Sequence, residues 1–144
     1  MIKVLLADDH RIVLDGLAAL LEKEEDIHIA DSVPDGDLAL KALDLYEVDI
    51  AILDIEMPGM DGIETIKIIK ERFPEVRVLI LTMYKDAEFI LLLVDAGASG
   101  FVLKNRGKEE LVNAIRTVAK GDRYFGDIVT EALIESREKE KRKK

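Results

Sequence analysis

The chain has 144 residues, 49% of them hydrophobic and 35% charged, which suits one globular domain with a full core and excludes a disordered chain. It has no cysteine, which rules out a disulfide framework and a thiolate metal site. The formal charge of −9 is uneven: the tail from Arg137 to Lys144 carries six basic and two acidic residues, a net +4, which leaves −13 on residues 1–136 and argues against direct nucleic-acid binding by this body.

Short apolar runs alternate with amphipathic stretches. The runs 2–7, 27–33, 48–53, 76–82 and 100–103 read as strands. Helical patterns fill about 11–24, 36–46, 62–72, 87–96 and 107–120. The first carries Ile12, Leu14, Leu17, Leu20 and Leu21 at helical spacing. The third ends at Pro74, which cannot continue it, and the fifth ends at Gly121, a left-handed stop. A sixth helix is expected over 127–143, with Ile128, Val129, Ala132 and Leu133 apolar and a solvated basic end favoured by the macrodipole. The longest apolar run, Phe89 to Val94, is too short to span a bilayer, and the opening residues read as a strand rather than a secretory signal, so no membrane partner and a cytoplasmic location are expected.

Five β-α repeats predict an α/β fold, a doubly wound five-stranded parallel sheet with helices on both faces. Right-handed crossovers restrict its topology. Ligands of such sheets bind beyond the carboxyl ends of the strands. Asp8, Asp9, Asp54, Thr82 and Lys104 all fall at those ends. Three carboxylates converging on one crevice are costly without a cation. Mg²⁺ suits them, because it takes one or two carboxylates and keeps waters and a phosphate. Lys104 supplies an ammonium and Thr82 a hydroxyl for phosphate oxygens. Asp54, facing the Asp8–Asp9 pair, is the candidate nucleophile for an aspartyl-phosphate. His10 is assigned to the opening turn of the first helix and His28 to a strand surface; neither is expected to be catalytic.

The segments Leu5-Leu6-Ala7-Asp8-Asp9-His10, Leu53-Asp54-Ile55-Glu56-Met57-Pro58-Gly59-Met60-Asp61-Gly62, Leu81-Thr82-Met83-Tyr84 and Gly100-Phe101-Val102-Leu103-Lys104 resemble the receiver domain of bacterial two-component response regulators, which has a flavodoxin-like fold. Ala96-Gly97-Ala98-Ser99-Gly100 and Arg123-Tyr124-Phe125 look most like the NarL/FixJ type. The resemblance covers residues 1–121 and leaves 122–144 as a linker-like C-terminal helix and basic tail. It implies that Asp54 accepts the phosphoryl group from a phosphohistidine on a sensor histidine kinase. It implies Mg²⁺, replaceable by Mn²⁺, on Asp9, Asp54 and the backbone carbonyl of Glu56, with Asp8 acting through water. Lys104 would contact the phosphoryl group; Thr82 would move toward it, and Phe101 would turn into the vacated space. The face of the fourth helix, fifth strand and fifth helix would respond.

Two positions depart from the family pattern. Asn105 follows the site lysine where Pro is frequent, and Phe101 stands where Tyr is frequent. Pro58 and Gly62 are read as shaping the loop after Asp54 and starting the next helix. Leu92 is apolar where relatives tend to carry a charge, so it is expected to be exposed on a partner surface, such as a homodimer formed on phosphorylation. The expected role is a signalling switch that assists only its own phosphotransfer and dephosphorylation, not a metabolic enzyme. DNA would be reached only through an output domain outside this chain, as in a transcription regulator. A stand-alone receiver acting through protein contacts is the alternative. An aspartate-nucleophile phosphatase usually carries a second acid and a small hydroxyl residue at fixed spacing after the nucleophile, a pattern that Asp54-Ile55-Glu56-Met57-Pro58 fits poorly.

Overall fold

The computed structural model describes residues 1–55, 61–83, 86–104 and 107–143, and side chains at these except 126–128 and 139–143. Glu56, Pro58 and Asn105 therefore lie outside the described residues.

Five parallel strands, β1 (Ile2–Ala7), β2 (Ile27–Val33), β3 (Ile50–Asp54), β4 (Arg77–Thr82) and β5 (Gly100–Leu103), form one sheet in the order β2-β1-β3-β4-β5. Helices α1 (Arg11–Glu22), α2 (Gly36–Leu45), α3 (Gly62–Arg72), α4 (Ala87–Ala96) and α5 (Lys108–Ala119) alternate with them, and α6 (Gly126–Lys143) follows. The expected doubly wound five-stranded sheet is present. Strand order reverses between β1 and β3, so a crevice opens at that switch point.

Side chains alternate across the sheet and build two cores. On one face Leu5, Leu53, Ile80 and Phe101 pack with Ala42, Ile66 and Ile90 of α2, α3 and α4. On the other Leu6, Ile52, Leu79 and Val102 pack with Leu14 and Leu21 of α1 and Ile115 of α5. Each fully buried Leu or Ile contributes about 1.5–3 kcal/mol relative to exposure. Strands β1, β3, β4 and β5 thus read as near-continuous apolar runs, as a sheet covered on both faces requires, whereas the edge strand β2 carries exposed polar residues.

Helix starts fix the loops around the crevice. Asp61 accepts from the backbone N–H of Ile63 and Glu64, and Asp86 from those of Glu88 and Phe89. Gly62 does open α3.

Residues after α5 return to the sheet. Tyr124 forms a parallel bridge with Gly100; its N–H donates to the Ser99 carbonyl, and its carbonyl accepts the Phe101 N–H. A Cβ on Gly100 would stand 2.7 Å from Leu79 Cδ1 and 2.9 Å from the Tyr124 carbonyl oxygen, so only glycine admits this approach. The Phe125 ring lies 5.9 Å from that of Phe101. Phe125 and Val129 pack on the α2–α4 core, and Ala132 is buried in it. Leu133 and Ile134 are exposed, as is Leu92 on α4.

Candidate functional site

The strand ends bring the expected residues together. β1 ends at Ala7, so Asp8 and Asp9 lie just beyond it. Asp54 is the last residue of β3 itself rather than the first after it. Thr82 closes β4, and Lys104 follows β5. Asp8, Asp54 and Thr82 are all buried.

Lys104 ties the crevice together. Its Nζ donates to Asp54 Oδ2 at 2.9 Å and stands 3.0 Å from Asp8 Oδ2. Its backbone N–H donates to the Thr82 carbonyl at 2.9 Å, which anchors the lysine to β4. Burial alone would lower the Lys104 pKa, but its contacts with Asp54 and then Asp8 outweigh this, and the net shift is upward. Burial likewise opposes ionisation of Asp8, yet the His10 N–H and the Lys104 ammonium hold its carboxyl below the usual range.

Asp8 and Asp9 also bear on the start of α1. Asp8 Oδ1 accepts the His10 N–H at 2.9 Å, so a local turn-capping role is real for Asp8. It does not exhaust that side chain. Asp8 Oδ2 and Asp9 Oδ1 are buried oxygens without a well-aligned hydrogen bond, although each has an ion-pair neighbour, Lys104 or His10. Atoms of Asp8, Asp9, His10 and Asp54 converge within 4.8 Å of one another. Hard oxygens short of donors fit a divalent cation.

Phe101 is 1% exposed and faces the α2–α4 core, the side that alternation also assigns to Thr82. His28 is an exposed strand residue, as expected. His10 does begin α1, but its ring also joins the acidic cluster, a position the sequence reading did not foresee. Its place directly after two acids at a strand-to-helix turn was the available signal.

These features define a doubly wound α/β domain with a carboxylate–lysine crevice at its switch point. Residues 4–116 match the response regulator receiver domain family, and the chain belongs to that family. It is most like the NarL/FixJ type. It is 37% identical over 133 residues to the oxygen regulatory protein NreC of Staphylococcus carnosus, covering 92% of this chain and 61% of that protein. The chain thus spans about three-fifths of the length of the curated relatives it matches. A LuxR-family response regulator from Aurantimonas sp. SI85-9A1 superposes with a TM-score of 0.86 at 32% identity, over 94% of this chain and 96% of that one. The isolated receiver domain of RcsB from Salmonella enterica serovar Typhimurium, solved with phosphomimetic BeF₃⁻, gives 0.83 at 30% identity, over 91% and 97%. Among the described residues, no helix is long and apolar enough to cross a membrane.

Proposed function

We propose that this receiver is a phosphorylation switch, loaded on Asp54 by a sensor histidine kinase. An Asp54 carboxylate oxygen attacks the phosphorus of a phosphohistidine. An O–P bond forms, the N–P bond breaks, and the imidazole nitrogen keeps the bonding pair. The observation that carries this reading is the Lys104 ammonium held between Asp54 and Asp8, with a buried Thr82 beside it. Lys104 then follows the phosphoryl oxygens as a point charge, and the Thr82 hydroxyl donates to another.

Asp9, Asp54 and the Glu56 backbone carbonyl would hold Mg²⁺ or Mn²⁺, with Asp8 acting through water. The bound ion supplies charge neutralisation and in-line alignment of the transferred group. The domain turns over no separate substrate; it assists its own loading and dephosphorylation. Thr82 and Phe101 pass the change to the face of α4, β5 and α5. We place the protein in the cytoplasm, where a sensor kinase presents its phosphohistidine. We assign it to transcription regulation, with DNA reached through an output domain outside this chain; its relation to NreC supports this.

Incubation with a small phosphodonor and Mg²⁺, followed by intact-mass measurement, tests the reading. One phosphoryl adduct is expected, absent in Asp54→Asn. No adduct in the wild type, or one that survives Asp54→Asn, overturns it.

A further inference from the structure

His10 is the member of the acidic cluster to which the reading above gives no task. It is the N-cap residue of α1, yet its side chain makes no cap hydrogen bond. An N-cap side chain ordinarily folds over the first turn to accept its free N–H groups. Here the ring turns back toward the crevice instead. Its Nδ1 lies 2.9 Å from Asp9 Oδ1 and 3.3 Å from Asp8 Oδ1.

Those spacings are informative. Neighbouring ligands of an octahedral ion with bonds of about 2.1 Å stand about 3.0 Å apart. Asp9 Oδ1 and His10 Nδ1 are already at that separation. Because Asp9 Oδ1 is buried without a well-aligned hydrogen bond, the pair is not fully satisfied by contact with each other. The ring itself is largely open to solvent, so a small rotation costs little packing. The chemistry of the donor matters next. Three carboxylates make a hard oxygen site suited to Mg²⁺. An imidazole nitrogen adds little for Mg²⁺, whereas Mn²⁺, Co²⁺, Ni²⁺ and Zn²⁺ accept it readily.

The geometry points to His10 as an additional protein ligand that shifts the selectivity of the crevice from Mg²⁺ toward divalent ions that accept imidazole. This rests on reading Asp8, Asp9 and Asp54 as a cation site, and the experiment separates the two claims.

Calorimetric titration of the whole chain with Mg²⁺ and, separately, Ni²⁺ compares wild type with His10→Ser and Asp9→Asn. Serine is itself a good N-cap, so the helix start is retained. Loss of an outer-shell partner alone costs about 10- to 100-fold in affinity, so loss of a direct ligand in His10→Ser weakens Ni²⁺ by at least about tenfold. Mg²⁺ affinity stays as in wild type. Pulsed electron paramagnetic resonance of the Mn²⁺-loaded chain shows imidazole nitrogen modulation that His10→Ser abolishes. If Asp9→Asn impairs binding but His10→Ser leaves the ratio of Ni²⁺ to Mg²⁺ affinity and the nitrogen signal unchanged, the His10 assignment falls alone. If both ions bind Asp9→Asn as they bind the wild type, the cation site falls, and His10 with it.

Discussion

Lys104 reaches Asp54 across a strand: its Nζ donates to Asp54 Oδ2 at 2.9 Å although β4 lies between β3 and β5. The lysine side chain is mostly buried and so is that of its partner. Removing one partner of a buried pair strands the other charge, at a cost of about 3–5 kcal/mol. Lys104→Met is expected to lose about that much stability in chelator, read by urea unfolding. Added Mg²⁺ restores part of it, since the cation replaces the missing positive charge. An unchanged midpoint in chelator contradicts this.

Lys104 and its second partner, Asp8, set opposite pH limits. The Asp8 pKa is held below the ordinary 3.8, so its contribution is present above 3.8 and is lost as pH falls through the lower folded value. The Lys104 pKa is raised above 10.5, so its contribution is complete below 10.5 and is lost as pH rises through the higher folded value. Circular-dichroism melts against pH are expected to show Lys104→Met losing the alkaline arm and having a shallower acid arm than wild type, since Asp8 no longer has the ammonium that helps hold its pKa down.

Gly100→Ala tests the junction between β5 and the segment after α5. The new methyl group meets Leu79, the Tyr124 carbonyl and Val118. Overpacking of this kind costs about 1–3 kcal/mol. Hydrogen exchange is expected to rise at the Tyr124 and Phe101 amides while the amides of β1 and β3 stay protected. Uniform loss of protection would mean that the junction is not a local unit.

Leu92 is half exposed in the middle of α4, so replacing it opens no core cavity. Leu92→Glu is expected to keep the unfolding free energy within about 0.5 kcal/mol of wild type, read by urea unfolding, as surface changes do. If the phosphorylated domain pairs through this helix, sedimentation of the phosphorylated variant shows the monomer where the wild type shows a dimer. Unchanged self-association removes Leu92 from any dimer face.

The sheet and its crevice were legible because both depend on local pattern. Runs of four to seven residues, four of the five ended by an acid, a hydroxyl or an ammonium, leave those groups only one edge to occupy. Strand limits shifted by small amounts: β3 runs from Ile50 to Asp54, so the acid proposed as nucleophile is paired in the ladder opposite Leu81. His10 was harder to place, because a helix-start residue and a pocket residue have the same sequence context. The packing of α6 was obscured by composition. Its charged second half dominates the pattern, while burial depends on Phe125, just before the helix, and on Val129 and Ala132 in its first turns.

The bridge from Tyr124 to Gly100 also closes one border of the sheet. β5 lies at one border of the sheet, where unpaired amides invite strand addition from a neighbouring chain. Tyr124 occupies that border by bonding both Ser99 and Phe101. A shortened chain stopping at Gly121 would keep every residue of the crevice and all five strands, yet it would uncover this border together with the Phe101 ring. Trimming at Gly121 is thus expected to leave the crevice intact while opening an edge to strand addition.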